Sequence, residues 1–206
     1  MCRSFSMPHP DLATAAIALF AVLVMMLAEL RRSRRNEREL RRRGAVEPPG
    51  DVYRALAFVY PLMFVAMAIE GSLFARVSDW LLVGGFVLFL ASKALKLWAI
   101  ATLGPRWSYR VLVLPGAPLV ETGPYAHLRH PNYLAVFGEI AGFAMMVSAF
   151  WTGIGSLLLF RVLVRRRIAI EENALEAAQG SGRDATAKAY DPGHQMPEAR
   201  SPEPGA

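Results

Sequence analysis

Residues 12–43 read LATAAIALFAVLVMMLAEL from Leu12 to Leu30 and then RRSRRNERELRRR from Arg31 to Arg43. The first part carries one ionisable side chain, Glu29, and at about 1.5 Å per residue it reaches roughly the ~30 Å of a hydrocarbon core. The second part holds Arg31, Arg32, Arg34, Arg35, Arg38, Arg41, Arg42 and Arg43, a density that belongs on the cytoplasmic side of a membrane. An apolar run closed by such a cluster reads as a membrane span, with residues 1–10 outside. A cleavable signal peptide needs its basic residues ahead of a shorter apolar core, whereas here only Arg3 precedes.

Composition agrees. With 54% hydrophobic and 19% charged residues among 206 and a mean hydropathy of +0.29, the chain is too apolar for an ordinary soluble domain and too charged to lie wholly in lipid. The charges must be segregated, and further apolar runs show where. Residues 52–74 form a second span, with Tyr53, Arg54 and Glu70 near its ends and Pro61 expected to kink it. Residues 80–103 form a third, carrying Lys93 and Lys96 on one helical face. Two shorter runs, 133–150 and 152–164, meet at Trp151-Thr152-Gly153-Ile154-Gly155, where the glycines predict a tight helical hairpin.

Threading these five spans from an outside N-terminus puts the loop Ala75–Asp79 outside. It puts residues 104–132 inside with Arg106, Arg110 and Arg129, and Arg165, Arg166 and Arg167 inside again. Lys93 and Lys96 are then expected to snorkel toward the cytoplasmic headgroups. The fold class is an all-α integral membrane protein: a membrane domain over 11–178, a cytoplasmic loop and C-terminal helix, and a disordered cytoplasmic tail over 179–206, rich in Gly, Ala, Pro and charge. A pI near 9.9 raises nucleic-acid binding, but the arginine run has no interleaved aromatics and abuts a span, so topology and anionic lipid account for it. Cys2 is the only cysteine, which excludes a disulfide or a thiolate metal cluster within one chain; no metal is expected.

The loop between the third and fourth spans carries the chemistry. Val111–Leu114 and Pro118–Val120 read as two short extended pieces around a turn. Then Gly123-Pro124-Tyr125-Ala126-His127-Leu128-Arg129-His130-Pro131-Asn132-Tyr133 gathers histidine, arginine and tyrosine side chains just before an apolar run. That supplies cationic, hydrogen-bonding and stacking groups beyond what a connector needs. Four residues separate Arg167 from Glu171, so a helix continuing from the last span presents both on one face. Alone, that pair reads as a solvated ion pair, His130 as an interfacial histidine and Tyr133 as an aromatic-belt residue. Glu139 falls about two turns into the fourth span, where a carboxylate is costly unless it faces protein, water or a ligand.

Together, Leu119-Val120, Gly123-Pro124-Tyr125, Arg129-His130-Pro131-Asn132-Tyr133, an apolar hairpin and Arg167-Ile168-Ala169-Ile170-Glu171-Glu172 resemble the isoprenylcysteine carboxyl methyltransferase family of integral membrane enzymes. The resemblance covers about Trp107 to Ala177 and is closest to a bacterial branch that O-methylates alkylpyrones and alkylresorcinols. It implies methyl transfer from S-adenosylmethionine to a carboxyl, enolic or phenolic oxygen of a lipophilic substrate. It also implies cofactor contacts at Leu119, Val120, Tyr125, Arg129, His130, Pro131, Asn132, Tyr133, Glu171 and Glu172. The family's substrate-side arginine maps onto Arg167. From the residues alone, Glu139 reads either as orienting Arg167 or the substrate or as a protonated structural glutamate, and Glu139 or His127 as a candidate proton acceptor. Such a site lies at the cytoplasmic face of a multi-pass protein, in all expectation of a bacterial inner membrane. Two other classes share parts of the pattern: NADPH-dependent membrane reductases of the sterol-reductase type, which carry a similar Arg-His-Pro-x-Tyr element but are longer, and non-catalytic membrane binding proteins.

Overall fold

In a computed structural model of the chain, the described residues are 12–74 and 78–189. The expected outside N-terminus at 1–10, most of the 75–79 loop and the end of the tail lie outside them. The described residues hold five α-helices, α1 (Leu12–Arg42), α2 (Tyr53–Phe74), α3 (Asp79–Leu103), α4 (Pro131–Val147) and α5 (Phe150–Ala189), with two short 3-10 turns in the α3–α4 connection. Two segments, Tyr53–Leu73 and Asp79–Arg106, are long and apolar enough to cross a membrane, and Pro131–Val147 is apolar but shorter. The tail expected at 179–206 begins as a continuation of α5 to Ala189.

The buried hub is α4. It lies antiparallel to α3 at very close range, because small residues face each other. A Cβ on Gly142 would stand 2.7 Å from the Phe89 backbone nitrogen, and one on Gly138 would stand 2.0 Å from Ser92 Oγ. Such glycine-lined contacts let backbones approach where no water is available to drive association. On the other flank, Phe64 and Phe143 are fully buried and meet edge to face at 5.0 Å, while Phe137 meets Phe160 at 4.9 Å; these ring pairs join α2 and α5 to α4.

The outer faces are apolar. Ile17, Phe20, Val24 and Leu27 line the exposed side of α1 at helical spacing, as do Phe58, Leu62, Ile69 and Leu73 on α2 and Trp151, Ile154, Leu158 and Val162 on α5. Exposed bands of this extent suit lipid rather than water.

Two expectations are corrected here. The α4–α5 turn falls at Ser148-Ala149, not at the glycines of 151–155, which lie inside α5. Ser148 adopts φ 53° and its N–H returns to Ala144 and Met145 carbonyls, so a left-handed serine closes α4. Glu70 then accepts the Trp151 and Thr152 N–H groups at 3.1 and 2.7 Å and caps α5 from α2. Gly153 serves close packing instead: a Cβ there would meet Ala144 Cβ at 2.6 Å.

Lys93 and Lys96 do not snorkel. Both are buried and alternate with two buried carboxylates: Lys93 pairs with Glu29 at 2.8 Å and Glu139 at 3.1 Å, and Lys96 with Glu29 at 2.7 Å and Glu139 at 3.5 Å. Two ammonium and two carboxylate groups sum to zero charge. Mutual neutralisation within protein replaces the trip to the headgroups, which would have left Glu29 and Glu139 unpaired.

Candidate functional site

The arginine-rich end of α1 clamps the long α3–α4 connection. Arginines of 31–43 are exposed, but Ser33 and Leu40 are buried, with Asn36 and Glu37 half-buried between them; positions 33, 36, 37 and 40 share one helical face. Asn36 donates to the carbonyls of Gly104 and Trp107 at 3.1 and 2.7 Å, and Ser33 accepts the Tyr109 N–H at 2.8 Å. Arg110 pairs with Glu47 at 2.6 Å and sits 4.4 Å over the Tyr53 ring. Glu47 keeps its carboxyl below the ordinary range: partial burial opposes this, but hydrogen bonds from Arg41 and Arg110 outweigh it. Val113 pairs with Val46 in a single antiparallel bridge, so the two extended pieces expected at 111–120 do not pair with each other. The turn between them is present, with Ala117 N–H returning to the Leu114 carbonyl at 3.2 Å.

This clamp roofs a cavity of about 1090 Å³. One wall is apolar and comes from α1 and α2, with Leu23, Met26, Leu27, Leu30, Leu56, Ala57 and Pro61; the other is polar and brings Leu119, Val120, Tyr125, Arg129, His130, Asn132, Tyr133, Arg167, Glu171 and Glu172 together. Small-molecule sites run to roughly 300–1,000 Å³, so this cavity lies at the large end of that range. Of the residues expected in the site, Pro131 and Glu139 are not on the cavity wall. Pro131 is fully buried as the first residue of α4, where its missing N–H has no cost. His127 is exposed and also off the wall.

The polar wall is organised around Tyr133. Arg167 Nε donates to its hydroxyl at 2.9 Å, and that hydroxyl donates to Glu171 Oε2 at 2.8 Å. Arg167 is 6% exposed whereas its neighbours Arg165 and Arg166 are exposed; at about 100° per residue only one of the three arginines can face inward. Its guanidinium also donates to the Tyr109 carbonyl and faces Asp51 Oδ1 at 3.6 Å. Asp51 in turn accepts N–H groups from Tyr53 at 3.1 Å and Val111 at 3.0 Å. His130 Nε2 lies 3.3 Å from Glu172 Oε1, and its ring is 5.5 Å from that of Tyr133.

Glu139 does not orient Arg167. Its partners are Lys93, Lys96 and the Tyr60 hydroxyl, and Asp51 holds the position assigned to it. Sequence reading also passes over Tyr109, which links the two networks: its hydroxyl donates to Glu29 at 2.7 Å while its carbonyl receives Arg167. Burial, followed by the Glu29 charge, pushes the Tyr109 phenol well above its usual value, so it stays a donor. Tyr125 is likewise raised by burial and then by Glu171. The signal for Asp51 is slight: a lone acidic residue after Pro48-Pro49-Gly50 looks like a turn residue.

One atom on the wall stands open. Asn132 Oδ1 is buried and has no hydrogen-bond partner among the described residues, a state that a ligand donor would relieve.

The model of the isoprenylcysteine carboxyl methyltransferase (ICMT) family matches residues 85–177, a range that holds most of the polar wall from Leu119 to Glu172. An uncharacterized protein of Bacillus subtilis (strain 168), YpbQ, is 32% identical over 160 residues, covering 77% of this chain and 95% of the relative. An uncharacterized protein of Haemophilus influenzae is 22% identical over 160 residues, covering 77% of this chain and 93% of the relative.

Proposed function

The chain belongs to the isoprenylcysteine carboxyl methyltransferase family and is by that membership a membrane methyltransferase; from this premise we propose that it moves a methyl group from S-adenosylmethionine to an oxygen of a lipophilic acceptor. In this reading the five helices cross the bilayer with the N-terminus outside, in a bacterial inner membrane, and the cavity opens at the cytoplasmic face.

The observation that carries the reading is the polar wall itself. An ammonium group fits the Glu171 and Glu172 carboxylates, a carboxylate fits Arg129 and His130, and an adenine fits the aromatic faces of Tyr125 and Tyr133. The orphaned Asn132 oxygen calls for a donor of the kind an ammonium or an exocyclic amine provides. When bound, S-adenosylmethionine supplies a methyl group already activated on a sulfonium.

The protein's task is then positional. Arg167 is fixed from three sides by Tyr133, Asp51 and the Tyr109 carbonyl, so its charge is directed without the entropy cost of a loose side chain. It steers a negatively polarised acceptor oxygen. The apolar wall of α1 and α2 takes the acceptor's chain and keeps water from the reacting oxygen. Glu139, with both oxygens facing lysines, is not available as a base.

The test is methyl transfer from isotopically labelled S-adenosylmethionine to the lipid extract of cells expressing the protein in native membranes. Label should enter an ether or ester of a lipophilic product with wild type and fall to background with Arg167→Ala; label absent with wild type would refute the reading.

A further inference from the structure

Residues 107–111 belong to no helix or strand, so their backbone polar groups must find side-chain partners. Most of those partners come from α1, where Glu29, Ser33, Asn36 and Glu37 share one helical face. Asn36 donates to the Trp107 carbonyl at 2.7 Å. Ser33 Oγ accepts the Tyr109 N–H at 2.8 Å and donates in turn to Glu37 at 2.6 Å, and Glu37 faces Arg110 at 3.6 Å. Glu29 accepts the Tyr109 hydroxyl at 2.7 Å, while the Tyr109 ring lies 5.1 Å from that of the buried Trp107.

Tyr109 is thus held by its N–H, its ring and its hydroxyl, and its remaining polar group, the carbonyl, is the one that Arg167 Nη2 reaches. A guanidinium carries its N–H groups in one rigid plane. The Nε bond to Tyr133 leaves that plane free to turn about the bond; a second bond from another nitrogen fixes it. Asp51 does not supply the second bond, because at 3.6 Å it is beyond hydrogen-bond length and its two oxygens already accept the Tyr53 and Val111 N–H groups. The Tyr109 carbonyl does. Its anchor is firm as well, since Glu29 is held by Lys93 at 2.8 Å and Lys96 at 2.7 Å. A buried ion cluster is weak evidence for stability, because packed apolar residues do as well; a fixed anchor for Tyr109 is a use that apolar residues could not serve.

We propose that Tyr109 is a positioning residue that aims Arg167: anchored by Glu29 of the buried cluster and by Ser33 of α1, it presents its backbone carbonyl so that the guanidinium plane is fixed and the N–H groups left on Nη1 and Nη2 serve the cavity. Tyr109 acts through Arg167. The buried cluster then reaches the site in three steps, with Lys93 and Lys96 holding Glu29, Glu29 holding Tyr109 and Tyr109 holding Arg167. The consequence for turnover rests on the methyltransferase reading; the placement of Arg167 does not.

The experiment separates the two. The full chain, labelled with heavy nitrogen at arginine, is placed in lipid nanodiscs as wild type, Arg167→Lys, Tyr109→Phe and Ser33→Ala, and its guanidinium resonances are recorded. A guanidinium bonded at both Nε and Nη2 does not rotate about its Cζ–Nη bonds, so wild type should show resolved Nη resonances that Arg167→Lys removes. Tyr109→Phe keeps the ring against Trp107 and loses the Glu29 anchor; the Arg167 Nη resonances should merge while the Nε resonance, held by Tyr133, persists. Methyl transfer from labelled S-adenosylmethionine to the cell lipid extract is measured on the same preparations. The maximal rate should fall at least about tenfold in Tyr109→Phe, the worth of one well-placed hydrogen bond to a charged group, with the S-adenosylmethionine concentration at half-maximal rate unchanged. A tyrosine with a merely structural role would lower the yield of folded protein and move neither readout. Nη resonances unchanged in both Tyr109→Phe and Ser33→Ala, or an unchanged maximal rate in both beside an active wild type, overturns the proposal. Resonances that merge as expected, beside a wild type that transfers no methyl group, uphold the placement of Arg167 and overturn the methyltransferase reading. If Tyr109→Phe does not fold, Ser33→Ala, which removes only the acceptor of the Tyr109 N–H, decides by the same two readouts.

Discussion

The Tyr133 hydroxyl donates to Glu171 Oε2 across 2.8 Å, and that hydroxyl oxygen accepts from Arg167 Nε at 2.9 Å. Arg167 and Glu171 therefore do not simply pair along their helix; a tyrosine from α4 stands between them and, in the proposed function, ties the cofactor side of the cavity to the acceptor side. Tyr133→Phe removes this relay and leaves Glu171 without its donor and Arg167 without one acceptor. Hydrogen bonds to charged groups are worth about 1.5–3 kcal/mol. We expect S-adenosylhomocysteine affinity to fall roughly ten- to hundredfold and the melting temperature to fall as well, because the buried Arg167 Nε loses its acceptor, both measured by calorimetry on the folded variant.

Arg167→Ala should act twice. It removes the steering charge, and it strands the Asp51 carboxylate, which is 4% exposed at the side chain. An uncompensated buried charge costs about 3–5 kcal/mol. Turnover should be lost and the protein should melt well below wild type, while Arg167→Ala combined with Asp51→Asn recovers stability without recovering turnover. Thermal unfolding and methyl transfer measured on the same preparations check the split.

Removing a single member of the buried cluster should be worse than removing a matched pair. Lys96→Met leaves Glu29 and Glu139 with one ammonium between them, at a cost of about 3–5 kcal/mol. Lys96→Met with Glu139→Gln restores a neutral set and should regain much of that loss, a non-additivity that a double-mutant cycle on denaturation reads directly. Additive losses would mean that the four groups do not act as one unit.

Gly142→Ala tests the close approach of α3 and α4. Its Cβ would lie 2.7 Å from the Phe89 backbone nitrogen and 2.8 Å from the Gly85 carbonyl oxygen, so backbone rather than a flexible side chain must yield. Overpacking of this kind costs about 1–3 kcal/mol. Gly155→Ala, with nothing within 4 Å, should be neutral or stabilising in the same denaturation assay, in keeping with the better helix propensity of alanine.

Much of this architecture is legible in the residues. The apolar runs mark where all five helices start, and where α2, α3 and α4 end, to within a few positions, because apolar surface leaves a composition signal that no tertiary contact is needed to read; α1 and α5 run on as polar helices to Arg42 and Ala189, where that signal stops. The residues of the polar wall come mostly from two local clusters, Arg129–Tyr133 at the start of α4 and Arg167–Glu172 in the middle of α5, so each cluster can be read along the chain. What is not legible is pairing across helices. Lys93 is matched to Glu29 from 64 positions away, and from sequence alone a lysine in a span has a snorkelling answer as good as a buried one. For the same reason Asp51 goes unread, although it faces Arg167 in the place expected of Glu139. The Ser148 turn escapes because a serine in the left-handed region is rare, whereas the glycines at 153 and 155 advertise a turn they do not make.

We propose that the wall carrying Tyr133, Asn132 and Glu171 is a cofactor site for methyl transfer. Its most direct test is calorimetric titration of the purified wild type and of Glu171→Gln with S-adenosylhomocysteine and, separately, with NADPH. Saturable binding of S-adenosylhomocysteine alone is expected, weakened at least about tenfold in Glu171→Gln through the lost charge-assisted contact. Binding of NADPH alone, or S-adenosylhomocysteine affinity unchanged in a folded Glu171→Gln, would contradict it.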